Sequence, residues 1–255
     1  MTVKQFYERI SARVPASLSA PWDRDGLMVC PDENGAVKRV LCTLDVTEEA
    51  VDYAIANGFD LIISHHPLLF HPIAALTPSD HVARKAVRLY GAGISVIFLH
   101  TRADAVEDGV NDRLADLLGL DDVEVLEEDA EGIARIGTLA APMTLSDFAL
   151  QVKEALGVPT VLTADADRTV CTVAVCGGDG KDLVDAAIAA GADTYVSGRI
   201  GYHQMMDAPE RGINMIEAGH YYTETHITAF FAELVGEILP FATCEEFASD
   251  MILFI

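Results

Sequence analysis

Basic charge is scarce in this chain: 17 lysines and arginines stand against 40 aspartates and glutamates in 255 residues, a formal net charge of −23. Such a surface repels nucleic-acid phosphate unless a basic patch overrides it, and no such patch is visible, so direct nucleic-acid binding is not expected. Long apolar runs are missing as well. None approaches the roughly 20 residues of a membrane span, and the opening MTVKQFYERISARV reads as an amphipathic helix rather than a signal peptide, so no membrane association is expected. The cysteines Cys30, Cys42, Cys171, Cys176 and Cys244 form no C-x-x-C pair and are odd in number, which suits reduced thiols in the cytoplasm. Low-complexity linkers and short-period repeats are also absent.

What is present is apolar and periodic. Hydrophobic residues make up 51% of the chain, enough for one large domain or two smaller ones. From residue 39, short apolar runs alternate with helical patterns: RVLCTLDV, then TEEAVDYAIANG, then FDLIISHH. This alternation predicts βαβ units and a largely parallel sheet. Thr47 is placed to cap the helix, Glu48 and Glu49 suit its positive end, and Gly58 stops it. A helix over about 81–90, the strand ISVIFLHT and a helix from near Val110 come next. The acidic stretch 121–132 marks a change of unit. Beyond it GIARIGTL, RTVCTVAVC and DTYVSG read as strands and Thr144 opens a helix through Leu156. A long amphipathic helix ends near Leu239, and MILFI reads as a final buried strand.

The polar clusters fall at strand ends, where open α/β sheets bind ligands. SHHPLLFH places His65 and His66 directly after an apolar strand, and Pro67 breaks it. Paired imidazoles there need a hydrogen-bond partner, a metal or water. For an isolated pair, the plainer reading is a satisfied core His65 and a solvated His66. LHTRADA repeats the arrangement with His100 and Asp104, the latter otherwise a helix cap. In EAGHYYTE, His220 and Glu224 are four apart, which on a helix puts both on one face. Three strand ends thus offer His65, His66, Asp104, His220 and Glu224. Imidazole and carboxylate donors suit Zn, Mn, Fe, Co or Ni better than calcium. Five ligands are many for one ion and suggest two, about 3.5–4 Å apart.

SHHPLLF, HTRADA followed by GVND, and AGHYYTE, together with WDRDGL and SGRIGYH, resemble the signature segments of the NGG-interacting-factor-three-like proteins. That dinuclear-metal family is also labelled GTP cyclohydrolase I type 2 homologues. Carried over by position, the family's metal ligands fall on His65, His66, Asp104, His220 and Glu224. The resemblance implies two related α/β domains with mixed, largely parallel sheets flanked by helices, the second inserted in the first: 1–127 completed by 215–255, with 128–214 inserted. It further implies two divalent transition-metal ions per chain and a toroidal homohexamer with metal sites facing a cavity. The implied activity is metal-dependent hydrolysis of a nucleotide or related small molecule, GTP cyclohydrolase-like. The alternatives are a non-enzymatic metal-binding or scaffold protein and a metal-dependent phosphoesterase. Nucleophile, base and orienting group cannot be picked out separately.

Departures from the family pattern lie around the ligands. The family usually reads WDNVGL, HTNLDA and GEIKYH where this chain has WDRDGL, HTRADA and GRIGYH. Arg102 and Arg199 could hold a phosphate, but pairing with surplus surface acid is the favoured reading. CGGDGKD fits neither a P-loop nor a dinucleotide fingerprint and is expected to be a plain tight turn. Tyr221 and Tyr222 read as packing or rim residues, and His203 as a surface histidine or an acid/base group. His71, His81 and His226 carry no signal.

Overall fold

The structure, a computed structural model, describes residues 1–252. Two compact units emerge, Met1–Val106 with the segment from Ile227 on, and Glu107–His226, so the second is inserted in the first as expected. The junctions fall at Val106 and His226 rather than at 127 and 214. The cause is local: the helix after Val106 and the helix carrying His220 and Glu224 pack on strands of the second unit.

The first unit opens with α1 (Val3–Arg13), β1 (Gly26–Val29), β2 (Arg39–Thr43), α2 (Glu48–Ala56), β3 (Leu61–Ser64), α3 (His81–Gly91), β4 (Ser95–Phe98) and the short α4 (Thr101–Ala105). The second runs α5 (Val110–Leu117), β5 (Leu120–Val125), β6 (Arg135–Met143), α6 (Leu145–Leu156), β7 (Leu162–Ala164), β8 (Val170–Asp179), α7 (Val184–Ala189), β9 (Thr194–Arg199), α8 (Tyr202–Arg211), β10 (Asn214–Glu217) and α9 (His220–Glu224). The chain then returns with α10 (Ile227–Ile238) and β11 (Thr243–Phe247). The expected long helix is therefore broken into α9 and α10. Of MILFI, Met251 and Ile252 are exposed and outside any strand, and the rest of that expected strand, residues 253–255, lies outside the described residues. No helix among the described residues is long and apolar enough to cross a membrane.

The helix ends follow their capping residues. Thr2 and Gln5 close a capping box on α1, Thr47 accepts from the Ala50 N–H, and Asp80 accepts from Val82 and Ala83 at the start of α3. Gly58, at φ +64°, turns the chain out of α2 in a conformation that a side chain disfavours.

The first sheet has the order β1-β4-β3-β2-β11 and is parallel except for the β1–β4 pair. All four residues of the central β3 are buried, which is why Leu61, Ile62 and Ile63 show no alternation. Register sets which side chains share the edge. Thr43 pairs with Ser64 and Ser64 with Phe98, so β2, β3 and β4 end at one level. Their next residues, Asp45, His65-His66 and His100, therefore emerge together at the carboxyl edge.

The second sheet, β5-β6-β8-β9-β10-β7, is less parallel than expected: only β8–β9 and β9–β10 run the same way. Here too the parallel strands end level, with Cys176 paired to Ser197 and Ser197 to Glu217. That edge carries Gly177-Gly178, Gly198 and Gly219-His220.

Candidate metal centre

In the first unit three imidazoles converge. One ring nitrogen from each of His65, His66 and His100 lies within 4.8 Å of those of the other two. The ring centroids are 4.9–5.8 Å apart. Each ring is anchored through Nδ1. His65 Nδ1 is 3.0 Å from the Leu99 carbonyl, His66 Nδ1 2.9 Å from Asp45 Oδ1 and His100 Nδ1 2.8 Å from Asp23 Oδ1. A proton on Nδ1 donates to each oxygen and leaves Nε2 as the lone-pair nitrogen, the arrangement that orients metal-binding histidines. The backbone fixes the pair further, since the His65 and His66 N–H groups donate to Thr43 and Leu44. Asp104, buried inside α4 and not capping it, places Oδ1 3.5 Å from His65 Nε2.

Asp23 is the most constrained of the anchors. Besides His100 it accepts from the Thr101 N–H at 3.0 Å and the Thr101 hydroxyl at 2.6 Å. Burial alone would raise its pKa, but the hydrogen bonds from His100 and Thr101 outweigh burial and hold the carboxyl well below the usual range.

In the second unit α9 carries both donors on one turn, with His220 Nε2 3.0 Å from Glu224 Oε2. Glu224 is buried and His220 exposed. The bed beneath them is glycine. A Cβ on Gly178 would lie 2.2 Å from Glu224 Oε1 and 3.3 Å from His220 Nε2. A Cβ on Gly198 would lie 2.5 Å from Thr223 Oγ1 and 2.8 Å from the His220 Cα. Thr223 in turn accepts from the Gly178 N–H at 3.1 Å. CGGDGKD is therefore not a plain tight turn. Its first four residues close β8, and the two glycines give α9 room to approach.

Each sequence-selected donor is placed in one of these two groups, and three contributors are new. His100 was visible in LHTRADA but lacked a reason to be chosen over Asp104. Asp23 and Asp45 reach their histidines from 77 and 21 residues away, with no local pattern to announce them. Arg102 is corrected. It is fully buried, with Nε 2.7 Å from Asp25 Oδ2, Nη2 3.1 Å from Oδ1 and Nη1 3.2 Å from the Val14 carbonyl. That bidentate pair is an internal brace, neither a surface pair nor a phosphate site. Arg199 is exposed at the end of β9 and forms no ion pair among the described residues, so the surface-pair reading fails there too. His203 is exposed on α8 against Tyr202, and Tyr221 and Tyr222 pack edge to face at 5.4 Å. His226, half-buried, hydrogen bonds the Val110 carbonyl through Nε2 at 2.8 Å.

Two mixed α/β units with imidazole and carboxylate donors at their strand ends define a class, α/β proteins equipped to bind metal. The chain belongs to the Duf34/NIF3 (NGG1p interacting factor 3) family, whose description matches residues 1–250. It is 36% identical over 231 residues to the GTP cyclohydrolase 1 type 2 homolog of Lactococcus lactis, covering 89% of this chain and 89% of that one. A Staphylococcus aureus hypothetical protein, SA1388, superposes with a TM-score of 0.89 at 26% identity over 100% of this chain and 99% of the other. A Bacillus cereus protein related to NIF3 shares the fold with a TM-score of 0.91 at 24% identity, over 100% and 99%.

Proposed function

We propose that this protein is a metal-dependent hydrolase acting on a nucleotide or related small molecule, with two divalent transition-metal ions per chain. The proposed ligands are His65, His66 and Asp104 from the first unit and His220 and Glu224 from the second, with His100 beside the first set. The carrying observation is the trio of histidines, each anchored at Nδ1 so that its other nitrogen is the donor. The Gly178 cradle under Glu224 and the imidazole–carboxylate donor set fit zinc, manganese, iron, cobalt or nickel. When bound, such ions supply Lewis acidity toward a carbonyl, phosphoryl or ring-nitrogen acceptor. The chain's own contribution is orientation. Leu99, Asp45 and Asp23 fix the rings, and α9 holds His220 and Glu224 on one face. The name carried by the Lactococcus relative supports the cyclohydrolase form of this reading.

Elemental analysis tests the ligand set: up to two ions per chain are expected, with wild-type metal in His65→Ala and Glu224→Ala counting against it. Screening the loaded protein against nucleotides and phosphoesters tests hydrolysis. Turnover abolished in Asp104→Ala supports an enzyme, whereas binding without turnover points to a metal-binding or scaffold role. Alongside, we take the chain to form a cytoplasmic homohexamer, because family resemblance and closed symmetry both favour it. Light scattering that returns a monomer at micromolar concentration would refute the assembly.

A further inference from the structure

Trp22 is the single tryptophan of the chain, and 52% of its surface is exposed. A large apolar side chain left half in water forgoes the stabilisation of burial, so its setting matters. It stands beside the histidine cluster, with its ring centroid 6.2 Å from His100 at 79° and 6.3 Å from the half-buried Phe70 at 65°. Phe70 also meets His100 edge to face, at 6.3 Å. The backbone that carries the indole is held in place, because the next residue, Asp23, is locked to His100 and Thr101. An aromatic surface, open to solvent and in edge contact with His100, is suited to stacking. The charged group nearest in sequence to His100, Arg102, is sealed against Asp25 and unable to clasp a phosphate.

We propose that Trp22, flanked by Phe70, determines specificity by stacking on a planar heteroaromatic ring of the ligand beside His100. This rests on the metal-dependent reading above and names the substrate class of that centre. Ring stacking, not a phosphate clasp in the first unit, then selects the ligand. Trp22 is a binding residue in this scheme, and its loss leaves the metal donors untouched.

The indole reports on itself. Guanosine titrated into the full-length protein should quench Trp22 fluorescence saturably, while ribose 5-phosphate, which has no aromatic ring, should not. By equilibrium dialysis, Trp22→Leu should weaken guanosine binding at least about fivefold, and Trp22→Phe, which keeps a ring face, should restore most of it. Metal per chain, measured on the same samples, should not change. Unsaturable quenching, or equal guanosine affinity in Trp22→Leu, overturns the platform. So does a smaller particle in Trp22→Leu with guanosine binding intact, which assigns the indole to an interface between copies. A metal-loaded protein that ignores guanosine defeats this inference and spares the metal reading. Saturable, Trp22-dependent binding by a chain that never retains metal supports the platform and defeats the metal reading.

Discussion

Replacing Gly178 with alanine separates the two duties of that residue. Its φ is +67°, and a Cβ there would lie 2.2 Å from Glu224 Oε1 and 3.1 Å from Glu224 Cδ. The left-handed backbone costs alanine about 1–2 kcal/mol. The atoms met first belong to the end of a flexible side chain, so the carboxylate can swing aside and most of an overpacking cost of about 1–3 kcal/mol is escaped. The net loss should be about 1–3 kcal/mol, or about 2–12 °C in Tm at about 2–4 °C per kcal/mol for a protein of this size. The displaced carboxylate should lower metal content much more than stability. Gly191→Ala is the control, since Gly191 has φ +83° with nothing within 4 Å of the added carbon. It should lose similar stability and no metal. Gly198→Ala is the opposite extreme, because its Cβ would meet the Gly178 carbonyl at 2.6 Å and the His220 Cα at 2.8 Å, backbone atoms that cannot swing away. It should be the least stable of the three. Thermal unfolding and elemental analysis on all three variants decide the matter. Full metal occupancy in Gly178→Ala, or equal metal loss in Gly191→Ala, would refute the cradle.

Arg102→Ala leaves the Asp25 carboxylate unpaired in the interior and should cost about 3–5 kcal/mol in denaturant unfolding; a loss under about 1 kcal/mol would make Arg102 an available cation again. Asp45→Ala removes the anchor 2.9 Å from His66 Nδ1 and should weaken metal affinity about 10–100-fold without unfolding the protein, read by competition with a chelator. Unchanged affinity would strip Asp45 of its orienting role. Glu48 accepts from Arg84 at 2.6 and 2.9 Å and from Arg88 at 2.8 Å, and chiefly the Arg84 bond holds its carboxyl below the ordinary value. A lowered folded pKa means stability that is present above the unfolded value of about 4.3 and lost as pH falls through the folded one. Glu48→Gln should therefore melt lower than wild type at neutral pH, with the gap closing in acid; a gap that widens in acid contradicts the sign.

Sequence alone determined what depends on neighbours along the chain. The α/β alternation, the caps at Thr47 and Thr144, and the His220–Glu224 spacing all rest on local geometry, since periodicity, capping and helical spacing act within a few residues. The donors could be chosen because imidazoles and carboxylates are out of place at the ends of apolar strands. Only tertiary structure decided who stands behind them. Asp45 and the Leu99 carbonyl become partners of His66 and His65 because β2, β3 and β4 end at one level, and Asp23 meets His100 because β1 pairs antiparallel with β4, both matters of strand register between distant segments. The same holds for Arg102, whose burial against Asp25 depends on the WDRDG loop folding back across 77 residues. It holds again for Gly178 and Gly198, whose missing side chains mean nothing until α9 lies against them. Local pattern named the groups that could bind a metal, and long-range register fixed their orientation.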